Sequence, residues 1–235
     1  MIMVPRLVTQ TPFELNKIVS YSLITISKST QTCVILQRKH SVEFLLILSG
    51  HYRPSMLLFL LPSTTYDELE ILKSLTDDYD YFFHIYVNVT GFDKKDVDYA
   101  FIRFIESKEI IYQFKNNNSS ELQWTWPKGR LSLEDRENGL LCAYREFYEE
   151  TEILLPPALY LSEKPILVET IKTLSCKIIE TYCWLYVVSD EIPFPPLYNH
   201  KEVNDRQWIN INDALIKLNQ THFLPNIMSQ LNCIN

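Results

Sequence analysis

No C-x-x-C pair, no apolar run long enough to cross a bilayer, no basic surplus and no internal repeat occur in these 235 residues. Each absence removes a class of protein. The five cysteines, Cys33, Cys142, Cys176, Cys183 and Cys233, are odd in number and scattered, which argues against a disulfide framework or a zinc cage and leaves reduced thiols. The most apolar stretches, "FLLIL" and "MLLFLLP", fall far short of the roughly 20 residues a membrane helix needs. The opening "MIMVPRLVTQ" lacks the basic-then-apolar pattern of a secretory signal, so a soluble, cytoplasmic chain without a membrane span is expected. A net charge of -7 argues against a surface that grips nucleic acid everywhere, yet leaves room for a local basic groove.

An apolar content of 46% supplies a real core for one large domain or a domain carrying an insertion. Thr11-Pro12 resembles a helix start. "SYSLITIS" and "TCVILQR", rich in β-branched and aromatic residues and separated by a short polar segment, read as a hairpin of two strands. From residue 40 to 118 apolar residues recur at helical spacing, with Val97, Ala100, Phe101, Phe104 and Ile105 as one stripe. Strand character returns in "LQWTW", "PILVETIKTLS", "KIIETYCWLYVVS" and "DRQWINI", before a closing helix opened by Asn212-Asp213. The expected organisation is a β-rich unit split in sequence, 1–39 and 119–235, by a helical insertion domain at 40–118.

The stretch "REFYEETEI", residues 145 to 153, holds four glutamates and one arginine. The segment 137–151 contains no proline, and Leu140, Tyr144, Phe147 and Thr151 step by four, three and four, the period of one helix face. Glu146, Glu149 and Glu150 then stand at i, i+3 and i+4, with Arg145 within reach of Glu149. Carboxylates so close repel unless a cation lies among them, and hard oxygen ligands suit Mg²⁺ or Mn²⁺. A solvated acidic face is the plain alternative for such a run. The residues upstream favour the metal: Lys128-Gly129 makes a tight turn after "WTWP", and Glu137 lies nine residues before Glu146.

Together Gly129, Glu137, Arg145, Glu146, Glu149, Glu150 and Ile153 resemble the signature of the Nudix hydrolases, over a box spanning 129–153. Two departures stand out: the interval from Gly129 to Glu137 is two residues longer than usual, and Glu152 occupies the usual glycine position. The resemblance implies an α+β fold with a mixed sheet sandwiched between helices. It also implies metal ligation by Gly129, Glu137, Glu146, Glu149 and Glu150, with Glu202 as a further carboxylate from a distant loop. Catalysis falls to Glu146 and Glu149, either of which could be the general base, with Arg145 orienting the carboxylates. "WTWPKG" and "CAYREFYEET" look most like the messenger RNA decapping branch, and the split domain resembles the decapping Nudix enzymes of large cytoplasmic DNA viruses, of the poxvirus and African swine fever virus type. That likeness implies a capped RNA substrate, cleaved to m7GDP in the host cytoplasm.

A methylated cap needs aromatic faces for its cationic purine; Trp124 and Trp126 are the foremost candidates, with Lys128, Arg130, Arg38 and Lys39 for its phosphates. The alternative substrates are a diphosphoinositol polyphosphate or a dinucleoside polyphosphate. Residues 41–118 hold seven Lys plus Arg against twelve Asp plus Glu, so the insert either contacts RNA through a small basic face at Arg53, Lys94, Lys95 and Arg103 or serves another end, such as homodimerisation.

Overall fold

The first strand and its hairpin partner are joined where the polar turn demands it: β1 (Lys17–Ser27) leads into β2 (Thr32–Arg38) with Gln31 at φ 54° in the left-handed region. The computed structural model describes residues 17–90, 94–115, 121–172, 178–197 and 200–234; the helix expected at Thr11-Pro12, and Cys176, lie outside them. Five helices follow: α1 (Val42–Leu48), α2 (Leu57–Leu60), α3 (Tyr66–Ser74), α4 (Tyr79–Thr90) and α5 (Lys94–Gln113). The chain then returns to the sheet in two short strands, β3 (Trp124–Thr125) and β4 (Lys128–Gly129), before the acidic helix α6 (Gly139–Thr151). β5 (Tyr160–Leu161), β6 (Leu167–Lys172), β7 (Ile178–Val188) and β8 (Val203–Asn210) complete the strands, and α7 (Ile211–Lys217) and α8 (Leu224–Asn232) close the described chain.

Among the described residues, the eight strands form one mixed sheet. β1 and β7 pair in parallel along their whole length, from Lys17↔Ile178 to Ser27↔Val188, and the other pairings are antiparallel. The second halves of β1 and β7 are buried residue after residue because helices cover the sheet on both faces. On one face Leu23, Val34 and Trp184 pack against Ala143 and Phe147 of α6; on the other, Ile24, Ile35 and Leu185 pack against Ala214, Leu215 and Ile227 of α7 and α8. Strand alternation decides which side chain serves which layer.

The helices between β2 and β3 have a core of their own, drawn from residues 44 to 111. Val97, Ala100 and Phe104 are fully buried as their spacing predicts, with Phe101 and Ile105 half-buried beside them. Among the described residues, no helix is long and apolar enough to cross a membrane. Cys33, Cys142 and Cys183 are buried free thiols, and Cys233 is an exposed one.

Candidate functional site

The acidic helix is shorter than its sequence period suggests. Asn138 caps it, its side chain accepting from Leu140 N at 3.0 Å and Leu141 N at 3.2 Å, so α6 begins at Gly139 and Glu137 lies before it. Arg136 and Glu137 adopt φ 47° and 63°. Glu137 is exposed there, and the structure does not bring it among the other carboxylates. Asp135, six residues after Gly129, is 2% exposed and receives Arg145 Nε at 3.0 Å and Nη2 at 2.8 Å. The two surplus residues of the box therefore fall after this acid, where the left-handed turn absorbs them. The Arg145 guanidinium and the Ser132 donors hold the Asp135 carboxyl below the usual carboxylate range despite its burial.

At the other end α6 closes on Glu152, at φ 57° and ψ 17°, whose N–H donates to Tyr148 O at 2.7 Å. The left-handed turn that glycine would favour is thus kept without glycine. Buried Arg206 supports it, donating to Thr151 O and standing 3.3 Å from Glu152 Oε2, a cation at the negative end of the helix. Phe194 lies beneath the guanidinium.

Between these caps the helix delivers its glutamates to one place. Arg145 Nη1 lies 2.8 Å from Glu146 Oε1 and 2.9 Å from Glu149 Oε2, while Arg145 Nη2 donates to Arg130 O at 2.8 Å. Gly129 sits under this helix: a Cβ added there would collide with the Glu146 carboxylate, so glycine is needed for close approach rather than for its dihedral freedom. Glu150 accepts from Lys128 N at 2.9 Å. Opposite, the loop before β8 brings Glu202, so that Glu146, Glu149, Glu150, Glu152, His200 and Glu202 line an open cleft of about 480 Å³, with Lys201 beside them.

Among the described residues no three acidic, histidine or cysteine groups form a ready-made metal cage; the glutamates point instead to Arg145 and to the Lys128 N–H. Two features nevertheless fit a divalent cation. The donor set is all carboxylate oxygen, and the Gly129 cradle holds one of those carboxylates against bare backbone. In addition, burial, reinforced by the charges of Glu146 and Glu202, pushes the Glu150 carboxyl up to about 8 despite the Lys128 N–H and Arg38, and burial raises Glu146. Carboxylates so disfavoured as anions gain most from a nearby cation.

The residues proposed for substrate separate into groups. Arg38 is half-buried and close enough for its charge to act on Glu150, and Arg130 is exposed beside Arg145. Lys128 turns to the opposite face by strand alternation, its Nζ 3.4 Å from Glu169. Lys39 donates its Nζ to His200 O at 3.1 Å. Trp126 is a correction: 1% exposed, it is a core residue under α7 whose Nε1 donates to Gln220 Oε1 at 2.7 Å, so it offers no face for stacking. Trp124 shares that side of the sheet but is half-buried, with Lys217 Nζ 3.9 Å from its ring centroid. Arg103, expected on a basic face of the insert, is spent internally: Nη1 pairs with Glu106 at 2.7 Å and Nη2 donates to Tyr52 O at 2.6 Å. The side chains of Lys94 and Lys95 lie outside the described residues.

Asp135, His200 and Arg206 escaped the sequence reading. Asp135 had a signal in its interval from Gly129; the other two had none, since their partners on α6 are 51 and 55 residues away.

The sequence matches no family model and no curated protein. Among solved structures the chain is similar to a C. elegans Ap4A hydrolase in a binary complex, with a TM-score of 0.45 and 13% identity, covering 92% of this chain and 98% of that one. It is also similar to a bifunctional NMN adenylyltransferase/ADP ribose pyrophosphatase from Francisella tularensis, complexed with AMP and a Mn ion (TM-score 0.43, 13% identity, 94% of this chain and 42% of that one). A third is the E. coli dihydroneopterin triphosphate pyrophosphohydrolase (TM-score 0.41, 11% identity, 88% and 95%). The fold is α+β, a mixed sheet between helices with the stretch α3–α5 set between strands.

Proposed function

We propose that this chain is a divalent-metal-dependent Nudix pyrophosphohydrolase and that its substrate is the methylated cap of messenger RNA, cleaved to m7GDP and a 5′-monophosphate RNA. One observation carries the reading: the Glu146 carboxylate lies against Gly129 in the same cleft that gathers Glu150 from the helix and Glu202 from a distant loop.

Glu146, Glu149, Glu150 and Glu202 would hold Mg²⁺ or Mn²⁺. When bound, the ion neutralises the pyrophosphate oxygens and lowers the pKa of a water. The chain's own residues do the rest. Asp135 fixes Arg145, which in turn holds Glu146 and Glu149 in register along the cleft. Arg38 places a cation beside the carboxylates, where a phosphate chain can meet it. Glu149 is the exposed member of the helix trio, where, held by Arg145, it would accept a proton from water. Trp124 lies on the sheet face under α7, with Lys217 Nζ 3.9 Å from its ring centroid, so the cap reading draws instead on the likeness of "WTWPKG" and "CAYREFYEET" to the decapping branch. The cleft lining, five glutamates against one lysine, disfavours a densely anionic inositol pyrophosphate.

The test is turnover of purified protein with Mn²⁺ on three substrates: RNA with a labelled m7G cap, the same RNA with an unmethylated cap, and a dinucleoside polyphosphate. Release of m7GDP at least about tenfold faster than GDP is the expected outcome. Preference for the dinucleotide over both RNAs would reassign the substrate, and no turnover of any would overturn the enzyme reading.

A further inference from the structure

Glu202 is exposed, on a loop, and far in sequence from the helix whose carboxylates it joins. Something must hold it there, and the candidate is His200. Its Nδ1 faces two backbone N–H groups, Glu202 N at 3.2 Å and Val203 N at 3.0 Å, so that nitrogen is the acceptor and the proton resides on the other. Nε2 then donates to the backbone oxygen of Glu149 at 2.8 Å. One ring thereby closes the turn that carries Glu202 and fastens that turn to α6. The far side of the loop is anchored by Lys39, whose N–H donates to Glu202 O at 2.8 Å and whose Nζ reaches His200 O at 3.1 Å.

We infer that His200 is a positioning residue for the metal site: through its two ring nitrogens it locks the loop bearing Glu202 onto the last turn of α6, setting that carboxylate opposite Glu146 and Glu150. The inference rests on the metal-site reading above. Both ring nitrogens of His200 are committed to backbone groups, so its effect passes through Glu202. Outer partners that fix a ligand's orientation commonly change metal affinity by about 10- to 100-fold when removed.

The test uses the full chain. In metal-free wild type and His200→Ala, hydrogen exchange of the Glu202 and Val203 amides is compared; exchange at least about tenfold faster in the variant is expected, with the thermal transition of the rest of the chain retained. His200→Asn, whose Oδ1 can stand where Nδ1 stands, should restore slow exchange, whereas His200→Gln, which can keep only the donor to Glu149 O, should not. Mn²⁺ affinity is then measured by electron paramagnetic resonance in wild type, His200→Ala, Glu202→Gln and the double variant. His200→Ala should weaken binding by about tenfold or more and add nothing in the Glu202→Gln background. Unchanged exchange at residues 202 and 203 overturns the clamp. An equal loss of Mn²⁺ affinity with and without Glu202 overturns its action through that carboxylate. A wild-type protein that binds no Mn²⁺, yet loses amide protection in His200→Ala, overturns the metal reading while leaving the clamp standing.

Discussion

Two glutamates, half-buried Glu150 on α6 and buried Glu68 on α3, respond to burial in opposite ways. Glu68, 3% exposed, receives Ser41 N at 2.6 Å, Ser41 Oγ at 2.7 Å and Thr65 N at 2.9 Å, with His40 at 3.7 Å. Burial alone would raise its pKa, but His40 and these donors bring it below the ordinary value. For Glu150, burial, with the facing charges of Glu146 and Glu202, outweighs the single Lys128 N–H, so its pKa climbs to about 8. The difference separates a carboxylate whose charge is already answered by the protein from one whose charge is not. The first is structural: Glu68 completes the capping box of α3 and ties the start of α1 to it. The second has the character of a ligand.

The comparison breaks most visibly under neutralisation. Glu150→Gln should cut Mn²⁺-dependent turnover by at least about 100-fold, roughly 2.7 kcal/mol of transition-state stabilisation, without lowering the melting temperature in chelator. A variant that keeps more than a tenth of wild-type turnover removes Glu150 from the metal set. Glu68→Ala should do the reverse. It strands the buried Ser41 and Thr65 donors and abolishes a cap, costing about 2–4 kcal/mol of stability in urea titrations, while per-molecule Mn²⁺ affinity of the folded fraction stays unchanged. A third contrast is in acid. Because the folded pKa of Glu68 lies below its ordinary value, its contribution is present above about pH 4.5 and is lost as pH falls through the lower folded value. Glu68→Gln, compared with wild type in chelator, should therefore flatten the stability loss below about pH 4.5; an unaltered acid limb would show the carboxylate is not held as an anion. The smallest effect is expected at Glu152→Gly. Relief of the left-handed backbone, worth up to about 1 kcal/mol, competes with loss of the part-exposed pair to Arg206, so the melting temperature should move by no more than a few degrees.

Much of the architecture was legible because it is local. The i, i+3, i+4 spacing of Glu146, Glu149 and Glu150 depends only on helical geometry, and the hairpin of β1 and β2 on β-branched runs around a polar turn. The stripe Val97, Ala100 and Phe104 marked the buried face of α5. Even the loss of glycine at Glu152 was visible as a strained point, though its remedy, Arg206, lay on another strand. Asp135, six residues after Gly129, meets Arg145 because the left-handed turn at Arg136 and Glu137 follows it, a turn that spacing to Glu146 does not reveal. Trp124 and Trp126 share a side of the sheet as alternation requires, but periodicity is silent on what covers that side.

By itself, then, the sequence determined which residues lie along one helix, one strand or one tight turn, since those relations follow from fixed rises and periods of the backbone. It determined that a glycine turn leads into a row of carboxylates. Tertiary structure alone decided which of those carboxylates would be answered and which left bare. The parallel pairing of β1 with β7 and the seating of α6 on that pair fix where Gly129 meets Glu146, where Asp135 meets Arg145, and where Glu202 and His200 meet the end of the helix. Contacts across such separations depend on the packing of whole layers, which no local period encodes.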